Sequence, residues 1–174
     1  STRDWSSDVC SSDLDNLSIV GVTTSGDIAI TLVANASSLT GGPRNGGGAI
    51  SAGAGDVTLT AANGTVNVGN TLLVDNGSFV GWISGDTLTI NAATVNVDTN
   101  VATLVTSGVA TLTVREQTGL TLGLDATHTL SASGDINIAA VGTISGVAGA
   151  AVSTPANLTL RSVTGGVTLA DFAG

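Results

Sequence analysis

Short runs with a period of two recur along the chain. In each run Val, Ile or Leu alternates with Thr, Asn or Ala. Because successive side chains of a strand point to opposite sides, this alternation predicts short strands with one aliphatic and one polar side. Gly, Asn, Asp and Ser lie between the runs and predict turns. The runs are residues 28–32, 57–60, 66–68, 88–90, 95–97, 112–114, 120–122, 136–138, 158–160 and 167–169.

A Gly-Asp pair precedes a strand four times. The pairs are Gly26-Asp27, Gly55-Asp56, Gly85-Asp86 and Gly134-Asp135. The first three are almost evenly spaced, and a longer gap precedes the fourth. A degenerate copy at residues 109–112 divides that gap into two steps of roughly 24, a spacing typical of solenoids. Gly permits a tight corner, and the Asp carboxylate can accept hydrogen bonds from backbone N–H groups there.

The repeats predict an all-β fold, a parallel β-solenoid of roughly six or seven coils with a length on the order of 30 Å. Its core must be narrow, since Phe79, Trp82 and Phe172 are the aromatic residues after residue 14. The alternative is an antiparallel β-sandwich with hairpins at Asn63-Gly64 and Asn76-Gly77.

The first fourteen residues do not fit the pattern. Residues 4–14 (DWSSDVCSSDL) resemble the translation of a sequencing adapter, so residues 1–14 are interpreted as a non-native leader. Residues 15–174 are then one solenoid segment with a Gly-rich loop at 40–48. This segment holds three Arg, ten acidic residues, no Lys and no Cys. Its negative charge argues against nucleic acid as a partner, and it has no thiolate for a disulfide or metal site.

Residues 55–66 (GDVTLTAANGTV) and 157–167 (NLTLRSVTGGV) resemble filamentous-haemagglutinin-type repeats. Such repeats occur in exoproteins of two-partner secretion systems and in autotransporter adhesins, and the resemblance covers most of residues 26–174. It implies a right-handed parallel β-helix, export through an outer-membrane pore and a place at the bacterial surface. It also implies an adhesive or stalk role, and it carries over no functional residue.

The chain offers few groups for chemistry, and we expect no catalytic, cofactor-binding or metal-binding residues. His128 is the sole histidine and cannot form a two-histidine zinc pair. A column of Asp27, Asp56 and Asp86 is expected to be a solvated turn ladder; the alternatives are calcium binding or a carbohydrate-active enzyme fragment. Outward Thr pairs leave an ice- or surface-binding solenoid as a further alternative; they are Thr58/Thr60, Thr87/Thr89 and Thr111/Thr113.

We therefore expect a structural or adhesive rod segment of a large secreted or surface-exposed bacterial protein, not an enzyme. Its partners would be neighbouring coils of the same protein, with surface or host glycans as the candidate ligands, and the segment would not span a membrane. Residues 79–83 are expected to pack locally in a widened coil, with an exposed contact patch as the alternative. Both ends are expected to be cut within the solenoid, so that residues 15–174 would associate end to end.

Overall fold

The structure is a computed structural model that describes residues 10–12, 16–24, 28–34, 38–41, 48–69, 81–123, 125 and 129–169. These residues contain strands and turns and no helix. The strands are β1 (Cys10–Ser12), β2 (Asn16–Ser18), β3 (Val22–Thr23), β4 (Ile30–Ala34), β5 (Ser38–Gly41), β6 (Ile50–Ser51), β7 (Val57–Val68), β8 (Ile83–Ser107), β9 (Thr111–Glu116), β10 (Leu120–Leu122), β11 (Thr129–Ser131), β12 (Ile136–Ala140), β13 (Ile144–Gly146), β14 (Ala151–Ser153), β15 (Leu158–Ser162) and β16 (Val167–Thr168).

The strands stack on three faces that the chain visits in a fixed order. Face 1 consists of β1, β4, residues 57–61, residues 88–92, Val109, β11 and β14. Face 2 consists of β2, β5, residues 65–68, residues 94–99, β9, β12 and β15. Face 3 consists of β3, β6, residues 83–84, residues 103–104, β10, β13 and β16.

The described part of the chain therefore forms seven coils of a parallel β-solenoid. Each ladder is parallel, as stacked coils require. Six steps of about 4.8 Å between the first and seventh coils give a length of about 29 Å. The prediction of an all-β solenoid is confirmed.

The antiparallel alternative is wrong. Strand β7 runs through Asn63-Gly64 without reversing, and its pairing with β8 shifts register between Ala61 and Thr65. The Asn-Gly pair thus lies in a bulge at the corner between faces 1 and 2, where extra residues are accommodated without a hairpin. Asn76-Gly77 lies outside the described residues.

The number of residues per coil varies along the rod, and it differs in part from the repeat length that the sequence predicted. On face 2 the longest step runs from Val66 to Val95 and the shortest from Val95 to Leu112. The predicted step of roughly 24 residues is present between Leu112 and Ile136. The other predicted step of roughly 24 residues, from the third Gly-Asp pair to residues 109–112, is wrong because Leu88 lies on face 1 and Leu112 lies on face 2. The second and third Gly-Asp pairs precede residues of face 1, whereas the fourth precedes β12 on face 2. The aligned residues on face 2 are Leu17, Leu39, Val66, Val95, Leu112, Ile136 and Leu158.

The core is a set of aliphatic columns inside the coils. On face 2, Leu39, Val66, Val95, Leu112 and Ile136 are at most 1% exposed. Their alternate neighbours are polar and more exposed, which is the burial pattern that a period of two produces. Since each column adds one aliphatic side chain per coil, no coil can bury its apolar face alone, and stacking supplies the core.

Two of the predicted sequence boundaries lie next to described strands. Strand β5 extends to Gly41, into the start of the predicted Gly-rich loop, and residues 42–47 lie outside the described part. Gly48, the last residue of that loop, donates its N–H to Ile19 O. Of the predicted leader, Cys10–Ser12 pair with β4, while residues 1–9 and 13–14 lie outside the description. Backbone pairing at the rod's edge does not depend on side chains, so the origin of the leader stays a prediction.

Candidate functional site at the polar corners

The Asp residues of the Gly-Asp pairs bond forward to the next coil. Asp56 Oδ1 accepts a hydrogen bond from Thr87 N at 3.1 Å. Asp135 Oδ1 accepts from Asn157 N at 3.1 Å and from Asn157 Nδ2 at 3.0 Å. In both cases the donor residue directly precedes the residue that pairs with the first residue of the Asp residue's own strand. The carboxylates therefore satisfy backbone donors between coils, a role that the sequence predicted only within a turn.

The Gly residues of these pairs allow close contact with the preceding coil. A Cβ at Gly55 would lie 2.5 Å from Ile28 O, and one at Gly134 would lie 2.8 Å from Ala110 O. At Gly85 the same atom would lie 2.7 Å from Gly55 O. All three glycines lack a positive φ. Gly is thus needed at these corners because two backbones approach each other closely, and not because of a left-handed backbone conformation.

The predicted Asp column does not form between its two described members. Val57 pairs with Leu88, so Asp56 aligns with Thr87 and Asp86 aligns with Gly55. Asp86 N donates to Gly55 O at 2.9 Å, which is consistent with this offset of one position. Asp27 lies outside the described residues.

A second polar corner is buried and lies between the coils that the shortest step separates. Asp98 and Arg115 are register neighbours in the β8–β9 ladder, and their side chains are 6% and 7% exposed. Arg115 Nε donates to Asp98 Oδ1, and Arg115 Nη2 donates to Asn96 Oδ1 at 2.8 Å. We call Asp98, Arg115 and Glu116 the buried corner. The guanidinium of Arg115 thus has both a carboxylate and an amide oxygen as partners, as a buried charge requires.

Glu116 is the acid of this corner that faces inward. Its Oε2 accepts from Thr99 Oγ1 at 2.8 Å and from Val101 N at 3.1 Å. Its Oε1 accepts from Thr118 N at 2.7 Å and from Thr118 Oγ1 at 2.8 Å. Burial raises the pKa of Glu116 above its ordinary value, and these hydrogen bonds act in the opposite direction. Both carboxylate oxygens are engaged by donors of two coils, so this group joins the coils at the corner.

Gly81 and Trp82 lie beside the buried corner. Gly81 N donates to Gln117 Oε1 at 3.0 Å, and Trp82 N donates to Asp98 O at 2.9 Å. A Cβ at Gly81 would lie 2.5 Å from Asn100 Cβ, so the backbone approaches closely here as well. Trp82 is partly buried against the core. Its indole Nε1 is buried and has no hydrogen-bond partner among the residues that the structure describes.

The buried corner was missed at the level of sequence. Alternation places Asp98 and Arg115 on the outward side, next to the inward-facing Val97 and Val114, and outward charges are normally solvated. A signal was nevertheless present: Glu116 is the sole Glu, and it adjoins one of the few Arg residues in the chain. The separation of Asp98 and Arg115 along the chain is the local coil length, which only the structure reveals.

Some of the predicted candidate residues lie outside the described part of the chain, and the predicted Thr pairs lie on the outward surface. His128, Phe79 and Gly46-Gly47 lie outside it. Among the Thr pairs, Thr58 stacks between Thr31 and Thr89, whereas Thr60 and Thr113 stack on Asn91 and Asn96. The described outward surface is therefore a mixed ladder of hydroxyl and amide groups, in which Asn96 Nδ2 donates to Asn67 Oδ1 at 3.3 Å.

Within the described residues, no three His, Cys, Asp or Glu side chains come together in a way that could hold a metal ion. The described part also contains no helix long and apolar enough to cross a membrane. Comparisons with protein-family models, with curated proteins and with solved structures found no match. Function is therefore inferred from the coils and their corners.

Proposed function

We propose that this chain is a structural and adhesive rod segment of a large protein exported to the bacterial surface. The observation that carries the proposal is that several charged side chains of the described residues form hydrogen bonds between neighbouring coils. Asp56, Asp135 and Glu116 each accept backbone hydrogen bonds from a neighbouring coil, and Arg115 pairs with Asp98 across coils. Polar chemistry in these places joins one coil to the next.

A rod of this kind acts mechanically. Parallel ladders join the strands of face 2 from the first described coil to the seventh, so tension along the axis is shared by many backbone hydrogen bonds. The outward ladders of Thr, Ser and Asn offer hydroxyl and amide groups along the rod, and such groups suit hydrogen bonding to surface glycans. The resemblance of residues 55–66 and 157–167 to exoprotein repeats supports export to the cell surface.

Pulling the full chain between its two ends tests the mechanical part of this proposal. The expected result is a series of rupture events, each releasing one coil. A coil of about 22–29 residues, the range of all but the shortest step on face 2, corresponds to about 75–100 Å of extended chain. Release of the entire contour in one event at low force would contradict a rod assembled from separable coils.

A solution assay separates the adhesive role from the two alternatives. Surface polysaccharides immobilised on a plate should retain the full chain without releasing reducing ends. The variant Asp56→Ala/Asp135→Ala should be retained equally, because these carboxylates bond to backbone N–H groups. Release of reducing ends that this variant abolishes would favour a carbohydrate-active enzyme. Thermal hysteresis in a freezing assay would favour the ice-binding alternative.

A further inference from the structure

Face 1 is interrupted between the fifth and sixth described coils. The fifth coil consists of Val109, β9 and β10, and the sixth consists of β11, β12 and β13. Among the described residues of face 1, these coils are joined by an isolated bridge between Val109 and Ala132. In the described part of the chain β11 pairs with β14 alone, and the two form a sheet separate from the large sheet of the rod. We call this interruption the seam.

Faces 2 and 3 are continuous at the same level of the rod. Strand β9 pairs with β12 over five residues, and β10 pairs with β13 over three. At the corner between these faces, Val141 N donates to Glu116 O at 3.0 Å, and Gly142 N donates to Thr118 O at 2.8 Å. The fifth and sixth coils are therefore held together firmly on the side of the rod opposite the seam.

A left-handed glycine lies directly before the seam. Strand β8 ends just before Gly108, which has a φ of 66° and therefore leaves the extended conformation that a ladder requires. The bridged residues Val109 and Ala132 are 5% and 7% exposed. By contrast Ala61 and Ala92, which pair within the continuous part of face 1, are both 0% exposed. Side chains at the seam are thus covered less completely than those of an uninterrupted ladder.

A buried hydroxyl without a partner lies beside this glycine. Thr106 alternates with Leu104, and the two are 6% and 0% exposed, so Thr106 occupies an inward position. Its Oγ1 is buried and has no hydrogen-bond partner among the described residues. Such a hydroxyl destabilises the closed state, because hydration would satisfy it once the coils separate. An aliphatic side chain at this position would hold the seam closed more firmly.

We infer that the seam is a flexible joint, at which face 1 opens and the sixth and seventh coils tilt about the ladders of faces 2 and 3. In an array of repeats each interface contributes its own free energy, so a junction that lacks one of its ladders opens there most easily. Opening breaks the bridge between Val109 and Ala132 and hydrates Thr106, while the corner at Glu116 stays closed. The joint lets the rod bend, whatever the rod binds.

Distances between two spin labels test whether the rod bends. One labelled pair, Thr31→Cys with Ser153→Cys, lies on face 1, and its matched control, Thr40→Cys with Thr159→Cys, lies on face 2. Both pairs join the second coil to the seventh over about 24 Å, which is five steps of about 4.8 Å. Both also carry Cys10→Ser, so that labels attach at the chosen positions. The distances on face 1 should be more broadly distributed and extend to longer values; distributions of equal width would overturn the inference.

Amide hydrogen exchange locates the opening. Ala132 N donates to Ser153 O in the seventh coil. Because the direction of the N–H alternates along a strand, the N–H of Ser131 points the other way, toward the fifth coil. The N–H of Asn137 also points toward the fifth coil, within the continuous ladder of face 2. Ser131 should therefore exchange faster than Asn137, and equal protection of the two amides would show that face 1 stays closed.

A variant at Thr106 connects the opening to the buried hydroxyl. Thr106→Val keeps the shape of the side chain and removes the hydroxyl, so exchange at Ser131 should slow at least about fivefold. Thr103→Val is the matched control on the outward side of the same strand, and exchange at Ser131 should stay as in wild type. Exchange at Ser131 that Thr106→Val leaves unchanged or accelerates would contradict a joint that opens at this hydroxyl.

Discussion

The aliphatic columns and the buried corner are equally buried and are stabilised by opposite physics. Leu112 on face 2 is 0% exposed, as is Glu116 further along the same strand. Removing the Leu112 side chain from water stabilises the folded state. Removing the Glu116 carboxylate from water destabilises it, and its hydrogen bonds must offset that cost. Burial alone therefore does not reveal what a position contributes: a column tolerates any well-fitting aliphatic group, while a polar corner requires each partner.

The largest effect is expected when the buried ion pair loses one partner. Arg115→Met should lower the free energy of unfolding by about 3–5 kcal/mol, because Asp98 stays buried with its partner charge removed. The double variant Asp98→Leu/Arg115→Met should recover most of this loss, since apolar groups replace both charges. Denaturant unfolding of the two variants and the wild type measures the difference. A double variant as unstable as the single one would show that the corner requires charge for more than neutralising Asp98.

A column position should show a comparable or smaller loss with no rescue. Leu112→Ala should cost about 3 kcal/mol, through lost apolar burial and the cavity that remains. Thr113→Ala on the outward side of the same strand is the control and should change stability by less than about 0.5 kcal/mol. Thermal or denaturant unfolding measures both. Equal losses at the two positions would contradict the assignment of inward and outward sides.

Glu116 sharpens the comparison because its contribution depends on pH. Glu116→Gln should cost about 1–3 kcal/mol, since the amide NH₂ must face the N–H of Val101 or of Thr118. The pKa of Glu116 is raised in the folded state, so the folded protein binds the proton more tightly than the unfolded chain. The stabilisation that results from this tighter proton binding is fully present below the ordinary pKa of Glu and is lost as the pH rises through the pKa of the folded state.

The stability of wild type relative to Glu116→Gln should therefore increase as pH falls through that window. Unfolding midpoints of both proteins between about pH 8 and about pH 4 measure it, since Gln does not titrate. A difference that shrinks as pH falls would mean that the four hydrogen bonds outweigh desolvation and that the folded pKa lies below its ordinary value.

The smallest effect is expected at the exposed corner. Asp135→Ala removes the acceptor of Asn157 N, and because water can replace it the cost should be below about 1 kcal/mol. Asp135→Asn keeps an oxygen at the same place and should be nearly neutral. Amide hydrogen exchange at Asn157 is the sensitive readout and should be faster in the Ala variant alone. Unchanged exchange in both variants would show that the Asp135 bond does not protect this corner.

Much of the fold could be predicted from local pattern. The alternation at residues 57–60, 112–114 and 136–138 predicted strands with the correct inward side, and the Gly-Asp spacing predicted stacking. The roles within the Gly-Asp pair were predicted less well. Gly55 and Asp56 act on the preceding and following coils respectively, and a single turn contains neither neighbour.

By itself, the sequence determined that this chain forms short strands with aliphatic columns and cannot bury them except by stacking, because side-chain alternation is a local property of extended backbone. The tertiary structure decided which residues of different coils meet. The shortest step on face 2 brings Asp98 beside Arg115, and the longest brings Asn67 beside Asn96. The number of residues between such partners depends on how many residues each corner of a coil accommodates. That number is decided by the packing of whole coils against one another.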